Sequence, residues 1–163
     1  ATTKLAAISS PLRDRFGIPT KLQFYEVDEL MLIIKRLAGI LECQITDTGA
    51  LEIAKRARGT PRIANNFLEW VRDYKIAKSI SSLQKSQVTE ALDMQGIDEN
   101  GLNPVDRDYL SVLEKLPKGT AIGVNTLCSA LNIDRQTIEQ KIEPFLIRQG
   151  YVAKTSKGRI LTR

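Results

Sequence analysis

From Val27 to Leu92 the apolar residues recur three and four positions apart, a spacing that confines this part of the chain to packed helices. Val27, Leu30, Met31, Ile34, Leu37, Ala38 and Leu41 form one stripe, with Asp28, Glu29, Lys35, Arg36 and Glu42 off it. Gly39 weakens that helix locally. Thr46 or Asp47 caps a short helix through Leu51 and Ala54. Thr60 caps the next, with Pro61 at the first helical position, where a missing N–H is no loss. Ile63, Phe67, Trp70, Val71 and Tyr74 line its inner side. Ser86 is placed to cap a fourth helix carrying Val88, Ala91 and Leu92. Residues 25–95 therefore read as a helical bundle. The stretch GIDENGLN (96–103), rich in glycine, acid and asparagine, is expected to link it to a second domain.

Residues 100–163 follow another pattern. Asn103 caps a helix that has Pro104 at its first position and runs to about Leu116. PKGT turns the chain, and AIGV is a candidate short strand. Asn125 is placed to cap a helix through Leu127 and Leu131. Asp134 caps the next, with Ile138, Ile142, Phe145 and Leu146 inward, and Pro144 inside it forces a kink or a fresh turn. GYVAKTSKGRILTR then alternates across a Lys-Gly turn, as a β-hairpin does. Three helices, a short strand and a terminal hairpin make a winged helix.

Residues 1–24 do not complete anything. ATTKLAAISS and TKLQFY have the length of strands, but one or two strands alone are not stable. They read as the end of a larger domain. The opening residues, ATTKLAAISSPLRDRFGIP, are not those of a signal peptide, and no apolar run approaches the ~18 residues of a membrane helix. Cys43 and Cys128 lie far apart and read as reduced residues of a cytosolic protein. The chain has no histidine, which excludes a Cys–His zinc site, a Ser–His–Asp triad and histidine acid–base chemistry.

The cations are oddly placed. Arg62 stands in the first turn of the Thr60 helix, at the positive end of its dipole, with Arg58 and Arg56 just upstream. An exposed charge there costs about 0.3–1 kcal/mol. Either an acid such as Glu69 holds Arg62, or the helix N-terminus and the arginine together await an anion. SSPLRDRFGI packs Arg13 and Arg15 around Asp14; they pair locally or reach a phosphate. The last twenty residues hold five cations and no anion. The hairpin is either an edge guarded by lysines or a wing carrying Lys154, Lys157 and Arg159 to a phosphate backbone. Arg135 opens the candidate recognition helix. Glu139 and Glu143 on that helix argue against deep major-groove reading, so backbone binding with little sequence preference is expected.

PLRDRFGI, LQFYEV, GALEIAKRARGTPRIAN, ALDMQGID and IEPFLIRQGYVAKTSKGR, in that order, give the chain a resemblance to the RuvB family. These are the AAA+ ATPases of bacterial Holliday junction branch migration. The resemblance implies a mainly α protein: the end of an α/β ATPase core (1–24), a helical AAA+ lid (25–99) and a winged helix (100–163). It implies a hexameric ring around duplex DNA that uses ATP and Mg2+, with RuvA as junction-binding partner and RuvC as resolvase. By the same resemblance Arg15 is similar to the arginine finger acting on the neighbouring subunit's ATP. Arg62 is similar to the sensor-2 arginine that contacts a subunit's own ATP, and Tyr25 to a residue near the adenine. Thr2 and Thr3 lie where the sensor-1 segment ends. Arg135, Lys154 and Arg159 correspond to cations that contact DNA, and Lys157, in the wing turn between them, is a further candidate.

Two departures stand beside this. The 163 residues contain no G-x-x-x-x-G-K-S/T loop and no aspartate-bearing Walker B strand, so they hold neither an ATP cradle nor a magnesium site and should be inactive alone. Ser156 and Lys157 stand where many relatives have Pro-Arg, which keeps the charge but loosens the turn. Two rival readings stay open. A winged-helix transcription regulator with a helical partner domain is disfavoured by Glu139 and Glu143. Another AAA+ protein with a winged helix, such as an initiator or clamp-loader relative, is disfavoured by TPRIAN and TSKGR.

Overall fold

The computed structural model describes residues 9–16, 20 and 22–162. The sequence readings for residues 1–8, among them Thr2 and Thr3, lie outside the described residues. After a single turn, α1 (Ser10–Arg13), four helices build the first domain: α2 (Val27–Ile40), α3 (Asp47–Arg56), α4 (Pro61–Ala77) and α5 (Lys85–Met94). Leu30 and Ile34 of α2, Ile53 of α3, Leu68 and Val71 of α4, and Leu92 of α5 meet in its core. Each follows from the three-and-four spacing of its own helix. Trp70 Nε1 donates to the carbonyl of Ala91 at 2.7 Å and ties α4 to α5.

The second domain holds α6 (Pro104–Glu114), α7 (Val124–Leu131) and a long helix in three parts, closed by the hairpin β1 (Val152–Thr155) and β2 (Gly158–Leu161). Tyr109, Leu127, Ile138 and Leu146 are its fully buried centre. The long helix starts as α8 (Arg135–Thr137), widens into a π turn (Ile138–Ile142) and ends as α9 (Glu143–Arg148). Pro144 explains the widening. It has no N–H to donate and its ring crowds the carbonyl four residues back, so the chain loosens and the N–H of Glu143 bonds to Ile138 instead. β1 and β2 pair antiparallel with Val152 opposite Leu161 and Lys154 opposite Arg159, so the turn is Ser156–Lys157 rather than Lys-Gly.

Several local readings are corrected. Helix α5 starts two residues earlier than expected: Gln84, not Ser86, caps it, in a reciprocal capping box with Gln87. Gly123, not Asn125, precedes α7, because Ile122 is fixed by a paired bridge to Arg159 and the helix begins directly after it. That bridge is all that forms of the AIGV strand. Residues 22–26 are not a strand; the N–H of Tyr25 bonds the carbonyl of Gly59 instead.

Residues 96–103 do not form a loose linker. Asp98 Oδ1 accepts from the N–H groups of Asn100 and Leu102, and Gly101 packs on the backbone of Arg56 at a φ of +75°. A Cβ on Gly101 would meet the Arg56 carbonyl oxygen at 2.7 Å, so this close turn needs glycine.

Candidate functional site

The N-terminus of α4 carries no side-chain cap and no acid. Thr60 occupies the cap position, but its hydroxyl donates to the carbonyl of Arg58 and accepts nothing from the helix. No acid stands in the first turn. The opening N–H groups are therefore left without a side-chain cap, at the positive end of a helix of 17 residues. Arg62 adds an exposed guanidinium, and among the described residues it has no ion pair, so Glu69 does not hold it.

Tyr25 lies on the same side. Its N–H donates to Gly59 at 2.9 Å, and its side chain is half-exposed. The structure thus brings Tyr25 and Arg62 to one edge of the bundle. Arg15 is exposed just past α1, and no ion pair holds its side chain among the described residues.

The other two cations of that cluster serve packing. Arg56 is 2% exposed, with Nη2 at 2.8 Å from Glu52, and Nη1 at 2.8 Å from both Asp93 and the carbonyl of Ile97. Its remote partners on and after α5 keep it paired. Arg58 crosses to the second domain. It donates to the carbonyl of Gly101 at 2.7 Å, pairs with the buried carboxylate of Asp106, and lies over the ring of Phe145. Arg148 returns from α9: it donates to the carbonyl of Arg58 at 2.6 Å, and its guanidinium lies 3.6 Å from the Phe24 ring centroid. The two domains are therefore clasped at the edge where Arg62 and Tyr25 lie.

The four candidate DNA cations differ in what holds them. Lys157, at the wing tip, is exposed and has no ion pair among the described residues. Lys154 is half-exposed, with Nζ at 2.6 Å from Glu143 Oε2. Arg135 is exposed, with Nε at 3.2 Å from Glu139. Arg159 is not offered to a ligand. Its side chain is 12% exposed, with Nε at 2.8 Å from Glu143 and Nη2 at 3.0 Å from Glu139.

Glu143 explains this ordering. It is fully buried, and also accepts from the Tyr109 hydroxyl at 3.2 Å. Burial works to raise its pKa, but hydrogen bonds from Arg159 and Lys154 outweigh that and hold the carboxyl below its usual range. Burial, with the adjacent Glu143 charge, pushes the Tyr109 phenol up. Glu143 is thus the post to which the wing is tied, and not a surface acid facing a groove. The signal was an acid set among Ile142, Phe145 and Leu146 on an inward face, where a charge persists only if paired.

A four-helix bundle clasped to a winged helix is the layout of an AAA lid followed by a winged-helix domain. Residues 25–98 match the family described as RuvB AAA lid domain, and residues 99–163 the one described as RuvB C-terminal winged helix domain. The chain belongs to the RuvB family. It is 48% identical over 163 residues to the Holliday junction branch migration complex subunit RuvB of Trichormus variabilis, all of this chain and 44% of that protein. The protein of the same name from a Synechocystis species is 49% identical over 162 residues, 99% of this chain and 45% of its own. The solved Thermotoga maritima RuvB Holliday junction branch migration motor has a TM-score of 0.88 and 39% identity, covering 96% of this chain and 52% of that one. The chain therefore spans less than half the length of the curated relatives it matches.

Proposed function

We propose that this chain is the lid and DNA-binding part of an ATP-driven motor of Holliday junction branch migration, with residues 25–99 as lid and 100–163 as winged helix. The observation that carries the reading is the uncapped start of α4, with Arg62 free of any acid among the described residues and Tyr25 bonded alongside. A phosphate placed there meets backbone N–H groups, the helix dipole and one guanidinium together. Tyr25 flanks the adenine of the same ATP. Arg15, exposed and unpaired among the described residues, reaches the nucleotide of a neighbouring subunit in a hexameric ring, where a permanent charge stabilises the transferring phosphoryl group. Residues 1–24 continue from the ATPase core, which supplies the phosphate cradle and Mg2+.

Lys157 and Lys154 of the wing and Arg135 of α8 meet the duplex backbone, without reading bases. RuvA holds the junction, RuvC resolves it, and the assembly works in the cytoplasm.

The experiment separates the two arginines in the intact motor. Arg15→Ala keeps nucleotide binding and lowers hydrolysis by about 10³–10⁵. Arg62→Ala weakens nucleotide binding by the same subunit. Rings mixing the Arg15 variant with a subunit unable to bind ATP regain some activity, because a finger acts on its neighbour. Unchanged nucleotide affinity in the Arg62 variant, or no recovery in mixed rings shown to form, overturns the assignment.

A further inference from the structure

Arg148 sits where a cation gains no acid. Its guanidinium stacks 3.6 Å from the centroid of Phe24 and donates at 2.6 Å to the carbonyl of Arg58. No carboxylate among the described residues pairs with it, and the like charge of Arg58 is close by. Burial, then that charge, lowers its pKa. Arg148 is exposed, yet its guanidinium lies against the Phe24 ring and the Arg58 carbonyl.

What it touches gives the reason. Phe24 precedes Tyr25, whose N–H bonds Gly59, and the Arg58 carbonyl also receives the hydroxyl of Thr60, the cap position of α4. One guanidinium thus grips both chain segments at the edge proposed for the nucleotide. At its other end it belongs to the last turn of α9, which continues through the π turn to Arg135. Phe145, one turn earlier on α9, lies under the guanidinium of Arg58 on the same side.

We infer that Arg148 is a positioning residue that carries the state of the DNA-contacting helix to the 24–25 segment and the start of α4. The inference rests on the function proposed above. When duplex draws on Arg135 and the wing, the long helix shifts, and Arg148 moves Phe24 and the Arg58 carbonyl with it. Its planar fork suits this task, since it stacks and donates at once.

The test needs only this chain, labelled with nitrogen-15 and titrated with a short random-sequence duplex. In the wild type, the amides of Arg135, Lys154 and Lys157 should shift, and those of Phe24, Tyr25 and Gly59 should shift with the same midpoint. Arg148→Ala should keep the first set and its midpoint and lose the second. Phe24→Leu, which removes the stack from the other side, should do the same. Shifts at Tyr25 and Gly59 that persist in both variants, or that are missing in the wild type, overturn the inference. If duplex moves no winged-helix amide at all, the DNA reading falls first and the relay falls with it. That outcome is distinguishable, because the first set of amides reports it alone.

Discussion

Nε of Arg159 donates a 2.8 Å hydrogen bond to Oε1 of Glu143, fastening the second strand of the wing to the helix beneath it. Lys154 on the first strand bonds the other oxygen of the same carboxylate at 2.6 Å. Both strands of the hairpin therefore hang on one buried acid, and the wing tip with Lys157 is held at a fixed place relative to Arg135.

Replacing that acid should loosen the second domain. Glu143→Gln leaves two cations facing a neutral amide. Breaking a buried pair costs about 3–5 kcal/mol, and the low end is expected here because Lys154 is half-exposed and Arg159 keeps Glu139. The chain's single tryptophan, Trp70, lies in the first domain and reports it separately. In urea, the circular-dichroism transition of the variant should begin before the Trp70 fluorescence change.

Acid should act on the same domain. Glu143 and Glu139 both titrate below the usual range: burial pushes each up, but hydrogen bonds from Arg159 with Lys154, and from Arg159 with Arg135, outweigh it. The hydrogen bonds with Thr137 lower Asp134 likewise. A depressed folded pKa gives stability that is complete above the ordinary carboxylate range and is lost as pH falls through the folded value. The second domain should thus weaken below about pH 4. Thermal scans of wild type and Glu143→Gln should differ most near neutral pH and converge in acid.

DNA binding should be weak, ~10⁻⁴–10⁻⁶ M at physiological salt, and indifferent to sequence. Lys157→Ala should flatten the plot of log affinity against log salt by about 0.9, one phosphate contact. Glu139→Gln should tighten binding, because it releases Arg135. Arg159→Gln should alter folding more than the salt slope. Titrations by fluorescence anisotropy at several salt concentrations decide each point. A hundredfold preference for one duplex would overturn the reading of backbone contact alone.

The turn between the domains should tolerate no side chain at Gly101. Gly101→Ala adds strain at a φ of +75° and drives a Cβ into the Arg56 carbonyl, so it should cost more than about 1 kcal/mol. Gly119→Ala, with a similar φ of +79° but open space, is the control and should cost less. Chemical denaturation compares them.

How far the sequence could be read depends on how local each feature is. The stripe Leu30, Ile34 and Ala38 was legible because a helix of period 3.6 must bury one side. Asn103, Thr46 and Asp134 were legible as caps, since each side chain does accept from a backbone N–H in its own first turn. Ser86 and Asn125 misled because several cap-forming residues stood in a row, and a glutamine pair and a bridge to the wing decided the start. The fates of Arg56, Arg58 and Arg159 were not legible. Their partners Asp93, Asp106 and Glu143 lie 37, 48 and 16 residues away, and only tertiary packing brings them together. For Arg62 the sequence left an acid partner or a free guanidinium open, and among the described residues no acid pairs with it.

The widened turn at Ile138–Ile142 bears on how the length of this helix can change. A π turn stores one surplus residue without rotating the later part of the helix, whereas a deletion elsewhere swings every later side chain by about 100°. Losing a residue such as Gln140 would let the helix become regular and still aim Phe145 and Arg148 at the first domain. The regular form would, however, place a carbonyl against the ring of Pro144, where the amide bond is already missing. Shortening and the loss of that proline are therefore coupled steps: in any lineage of such chains, the two changes should travel together.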